Sequence, residues 1–161
     1  MRLRETLAVG GIASICAAAP AQAVITNFSV DVETSIDMGL DWLEIQGFFG
    51  NPGMHCAGQG FGDGIGLVAL ALLEKRANAN LNALTVGYSG STVQNQARID
   101  LLMPYVIARA SPVMGMYAYR DGADLMALSI YNQTGGPDAV GSLAAINATV
   151  DRVAVNQDAQ G

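Results

Sequence analysis

The chain has 161 residues, enough for one domain. Hydrophobic residues make up 51% and charged residues 14%, so core material is plentiful and solvating charge is sparse. The net charge of −6 argues against a nucleic-acid partner, which needs a basic stripe, and against adsorption to anionic lipid through a polybasic surface.

The N-terminus has the pattern of a secretory signal peptide. Arg2 and Arg4 supply the positive region, Leu7 to Ala19 the apolar core, and Ala21-Gln22-Ala23 a small-residue cleavage site. The apolar run is short for a membrane anchor. Lipid attachment at Cys16 is disfavoured by the bulk of Ile15 just before it. The expectation is residues 1–23 as signal, residues 24–161 as the mature domain, and a periplasmic or extracellular location with no stable membrane insertion after cleavage near Ala23. Cleavage removes Cys16 and leaves Cys56 alone, so no internal disulfide can form and packing must hold the fold.

In the mature chain, Val24 to Thr34 reads as a lead-in with β-branched residues. Ser35 is placed to cap a helix to Gln46, with Ile36, Leu40 and Leu43 on one stripe and Trp42 beside it. Gly47 stands where a helix-ending glycine is expected. Residues 47–62 form a glycine-rich loop holding the only histidine, His55, next to Cys56. Asp63 and Gly64 then open a helix that is apolar on almost every face from Ile65 to Leu73, which calls for enclosure by other helices. Residues 77–93 are a polar loop, long for a helix connection and read as an insertion. A third helix spans about Val93 to Ala110, with Ile99, Met103 and Val106 as its stripe and a kink or break expected at Pro104. A fourth spans Asp121 to Gln133 and stops at Gly135-Gly136-Pro137. A fifth starts near Asp138 or Ser142 and carries Ile146, Val150 and Val153.

A repeat runs through these elements. Asp63-Gly64-x-x-Leu67-x-Ala69-Leu70 recurs as Asp121-Gly122-x-x-Leu125-x-Ala127-Leu128. Ile36, Ile99 and Ile146 each start a stripe continued at steps of four and three. Ile99 and Ile146 stand 47 residues apart, a spacing that signals stacked helical hairpins.

Gly39-x-x-Trp42-Leu43-x-x-Gln46, followed by the Asp-Gly helix, resembles the repeat of the squalene cyclase and protein prenyltransferase superfamily. The likeness covers about two and a half repeats, nearly the whole mature chain. It implies an all-α fold of stacked antiparallel hairpins forming part of an α/α toroid. The chain departs from that family in three respects. No Trp follows Gly50, the Asp-x-Asp-Asp acid of the cyclases is absent, and the prenyltransferase zinc set has no matching Asp-x-Cys. The hairpins present are too few to close a toroid, so the chain is expected to be a segment of a longer product, with self-association through open repeat ends.

Candidate chemistry is thin. His55-Cys56 pairs an imidazole with a thiol, as nucleophile or metal site, but no second Cys or His completes a zinc set in the mature chain. The alternative is a cysteine tucked into the fold. Cys56-Ala57-Gly58-Gln59 resembles the Cys-Gly-Glu-Gln of complement-like thioester domains in its Cys–Gln spacing, which implies covalent attachment through Cys56 and Gln59. Asp63 and Asp121 hold equivalent repeat positions; an acid–base pair facing a cavity is one reading, and the favoured reading is that each carboxylate caps the start of its helix. Asp124 lies one turn on, where the first repeat has Gly66. Gly87-Tyr88-Ser89-Gly90-Ser91 lacks the last glycine and the preceding strand of a hydrolase elbow. No cofactor or metal is expected. The leading expectation is an exported binding or structural module whose ligand is apolar or a glycan. The enzyme alternative is a terpenoid-cyclase-like protein whose catalytic acid lies beyond this chain, and the third reading is the thioester.

Overall fold

The computed structural model describes residues 25–52, 64–80, 82–110 and 117–156. They form five helices: α1 (Asn27–Ile45), α2 (Ile65–Leu73), α3 (Val93–Ala108), α4 (Ala118–Gln133) and α5 (Ala139–Val155). Among the described residues the only extended pairing is one antiparallel bridge, Arg76 with Thr85, which closes the base of the 77–84 loop. The protein is all-α, as its periodicity demands.

Each helix is bounded by local chemistry. α1 begins well before Ser35, because Thr26 and Ser29 form a reciprocal capping box and overcome the β-branched residues that follow. The Ser35 hydroxyl instead donates back to the Asp31 carbonyl inside the helix at 2.7 Å. At its end Gly47 takes φ +76°, with Phe48 N donating to Leu43 O and Gly47 N to Glu44 O, at 3.0 and 2.9 Å. That double hydrogen bond through a left-handed glycine stops the helix. α3 runs unbroken through Pro104, whose ring sits on the exposed side, where water can satisfy the carbonyl left without an N–H. α4 starts one turn before Asp121, and Asp138 caps α5 by accepting from Gly141 N at 2.8 Å.

The two Asp-Gly helices lie side by side and run parallel. Their C-terminal ends meet at the turn after residue 86: Gly87 N donates to Leu73 O at 3.0 Å, and Tyr88 N donates to the Thr134 hydroxyl at 2.8 Å. Near their N-terminal ends Gly66 of α2 presses on Asp124 of α4. These are equivalent repeat positions, so the helices are in register as well as parallel. α3 starts where both end, and Arg109 after its last turn returns to Asp124. α5 starts at the C-terminal end of α4 and brings Arg152 back to Asp121. Thus α2 and α4 form one layer, and α3 and α5 run antiparallel to them in a second. α3 touches α2, α4 and α5. The core between the layers holds Leu72, Leu73, Ile99, Leu102, Val106, Ala127 and Leu128, all fully buried.

α1 attaches by side chains across the end of this stack. Leu40 is buried, Asp37 takes Lys75 at 2.5 Å, and Phe48 and Phe49 beyond its end enter the core. The all-round apolar helix α2 is not enclosed on every side: Leu67 is 59% exposed, and Ala71 is exposed with it. α2 is an edge of its layer, with α4 on one flank and no described helix on the other. Its apolar composition therefore exceeds what its observed neighbours cover.

The crossing at Gly66 has no room for a side chain. A Cβ there would lie 3.0 Å from the Asp124 backbone nitrogen and overlap its carboxylate, which Arg109 holds in place. Gly66→Ala should destabilise by about 1–3 kcal/mol through overpacking. Gly122→Ala, at an exposed helical site with no atom within 4 Å of the added methyl, should stabilise by about 0.5–1 kcal/mol. Urea unfolding of the two variants should therefore move in opposite directions from wild type.

Candidate functional site

Of the sequence candidates, Asp121 and Asp124 are described, whereas His55, Cys56, Gln59 and Asp63 lie outside the described residues. Both described carboxylates are buried and face guanidinium groups. Asp121 Oδ1 accepts from Arg120 Nε at 2.9 Å and Arg152 Nη2 at 3.0 Å, while Oδ2 accepts from Tyr117 N at 2.9 Å. Asp124 takes a two-pronged contact from Arg109, through Nε at 2.7 Å and through Nη2. Burial pushes the Asp121 carboxyl up, but the hydrogen bonds from Arg120, Tyr117 N and Arg152 outweigh it and hold its pKa below the usual 3.8. Such a group is a permanent anion at neutral pH. It anchors α5 to the start of α4 and is not poised to exchange a proton. The elbow-like segment is likewise structural, since Ser89 N donates to Thr134 O and Gly87 packs on the Thr134 side chain.

The sequence reading missed the arginines. Arg98 is buried in α3 beneath Asp41, at 2.6 Å, and Glu44 of α1, with its guanidinium 5.4 Å from the Phe49 ring centre. Its hydrogen bond holds the Glu44 carboxyl below its usual value. A signal existed. In so weakly charged a chain, an arginine directly beside a stripe residue, as in Arg98-Ile99 and Arg152-Val153, signals a partner carried toward the interior. All six Lys and Arg residues from 25 to 156 have an acceptor, including Arg76 on Ala83 O at 2.7 Å.

A groove of about 280 Å³ opens between the first half of α1 and the end of α2. Val32, Ile36, Ala71 and Ala79 supply apolar wall, while Ser29, Glu33, Glu74, Lys75, Arg76 and Asn78 supply polar atoms around it. This is near the lower end of the ~300–1,000 Å³ typical of ligand sites. A second hollow of about 150 Å³ adjoins it, sharing Glu33, Lys75 and Arg76 and lined also by Ser91, Thr92 and Asn95. An apolar cleft thus continues into a polar one. Lys75 is already paired with Asp37, whereas Arg76 is exposed and gives one N–H to the neutral Ala83 carbonyl, so it keeps its charge at the rim of this site. Among the described residues no group of three His, Cys, Asp or Glu side chains could hold a metal ion, and no helix is long and apolar enough to cross a membrane.

The lowered pKa of Asp121 fixes the sign of its pH dependence. Its stabilisation is fully present above the unfolded-state carboxylate range and is lost as pH falls through the folded value. Asp121→Asn should cost about 3–5 kcal/mol at neutral pH, because it leaves Arg152 buried without its anion. It should also flatten part of the acid-induced fall in melting temperature. Thermal melts of both proteins from neutral to strongly acid pH check both statements.

No family model, curated protein or solved structure matches the chain.

Proposed function

We propose that the chain is an exported stacked-hairpin module, an arc of an α/α toroid of the squalene cyclase and prenyltransferase type, that binds an amphipathic ligand without transforming it. The observation that carries this reading is the composite groove at α1 and α2, an apolar cleft opening onto a ledge of hydroxyl and amide groups. Such a site suits an apolar body with an uncharged polar head, such as a lipid or an alkyl glycoside. A strongly anionic head finds Lys75 already paired with Asp37 and meets the acids Glu33 and Glu74 in the lining. The repeat supports the arc, because a parallel in-register pair such as α2 and α4 is what stacking of like hairpins produces. The guanidinium contacts of Asp121 and Asp124 favour binding over acid–base chemistry, since a buried ionised carboxylate held by arginine is a poor proton donor.

Titration with an alkyl glucoside and with a fluorescent fatty acid, followed by calorimetry and fluorescence, tests the proposal. Saturable one-to-one binding of at least one of them is expected. Ala71→Trp fills the cleft from an exposed position of α2 and should weaken binding by about tenfold or more, or ~1.4 kcal/mol, with an unchanged thermal melt. Absence of saturable binding for both amphiphiles, or binding that Ala71→Trp leaves intact, would remove the groove from the proposal.

A further inference from the structure

The turn between α4 and α5 faces α3 across a hollow of about 450 Å³. That is within the ~300–1,000 Å³ typical of ligand sites. It lies apart from the groove of α1 and α2 and shares no lining residue with it. Met103 and Tyr131, both buried, form its floor, and the half-buried Ile107 stands beside them. Pro104 and Pro137 are exposed and bring rigid apolar walls from the two sides. The floor is fixed in place. The Tyr131 hydroxyl accepts from Asp138 N at 3.2 Å, its ring meets that of Tyr88 edge-on at 5.4 Å, and Gly136 packs so closely on the ring that a Cβ would overlap it.

The other two lining residues are acids, Asp100 on α3 and Asp138 at the start of α5, both exposed. Among the described residues no Lys or Arg is bonded to either, because all six are engaged elsewhere. Asp100 Oδ2 accepts from the neutral Tyr88 hydroxyl at 3.2 Å, and Asp138 Oδ1 from Gly141 N. Asp138 also answers the positive end of α5, so Asp100 is the anion left for a ligand. Both charges bear on the floor. Burial raises the Tyr131 phenol, the bond from Asp138 N opposes it, and the Asp100 and Asp138 carboxylates raise it further. An apolar hollow whose lining charges are both negative repels an acid and gives a neutral molecule no electrostatic gain. Its complement is a cation with an apolar body.

We propose that this hollow binds a small organic cation, an aryl- or alkylammonium, with its apolar body against Pro104, Ile107 and Pro137 and its ammonium group at Asp100. The site is independent of the groove of α1 and α2, which suits an uncharged head, so Ala71→Trp leaves it unchanged. Pro104 offers a way to fill the site from within. Pro104→Lys places an ammonium four residues after Asp100, the spacing at which helix side chains pair. It also returns an N–H to the middle of α3, so helicity is kept.

Phenylethylammonium, phenylethyl alcohol and phenylacetate have similar bodies and differ in charge. Each is titrated at neutral pH into the full chain and followed by methyl NMR. The ammonium should shift the Met103 and Ile107 methyls saturably at one to one. The alcohol should bind about fivefold more weakly or worse, and phenylacetate more weakly still. Asp100→Asn, at an exposed position, should weaken ammonium binding by about fivefold or more while leaving the alcohol and the melting temperature unchanged. Pro104→Lys should weaken the ammonium at least as much. An ammonium that shifts neither methyl overturns the inference. So does equal binding of ammonium and alcohol, or ammonium binding that either substitution leaves intact.

Discussion

The close contact of α2 with α4 sets the rest of the structure. A glycine in one helix makes room for a carboxylate from the next, and an arginine from the end of α3 grips that carboxylate from the other side. Gly66, Asp124 and Arg109 thereby fix three helices at one point. Asp121 repeats the device one turn earlier, tying the start of α4 to the end of α5 through Arg152. The antiparallel hairpin explains why this works electrically. It places the C-terminal ends of α3 and α5 beside the N-terminal end of α4, where acids suit the positive pole and arginines suit the negative ones.

The apolar core supplies most of the stabilisation, with each fully buried Leu or Ile contributing about 1.5–3 kcal/mol over an exposed one. Buried ion pairs do little better than break even against apolar replacements, but they penalise mispairing heavily. Sliding α5 by one turn along α4 would take Arg152 away from Asp121, whereas the small residues Ser142, Ala145 and Thr149 on the same face would lose little packing. The arginines therefore set register where the apolar contacts of α5 are too slight to do so.

Committing every basic side chain of residues 25–156 to an internal acceptor shapes the outside of the molecule as well. The surface that remains is largely acidic, uncharged polar or apolar, and exposed apolar side chains occur on every helix, from Trp42 on α1 and Leu67 on α2 to Tyr105 on α3, Met126 on α4 and Val150 on α5. The same openness that forms the groove between α1 and α2 leaves Leu67 uncovered.

Periodicity and capping residues determine that this protein is helical, where α2 to α5 lie to within a turn, and that two of its helices share the pattern Asp-Gly-x-x-Leu-x-Ala-Leu. These depend on contacts within a few residues, which a chain displays directly. The start of α1 was hidden because its capping box uses Ser29 where Glu or Gln makes the recognisable pattern. Only the tertiary structure decided which apolar faces are covered, because an oily helix reads the same at the edge of a layer as at its centre. It alone also decided that Asp121 and Asp124 are anchors, since their arginine partners stand 31 and 15 residues away and meet them only when antiparallel helices fold back. The groove, built from the side of one helix and the end of another, has no counterpart in the order of residues at all.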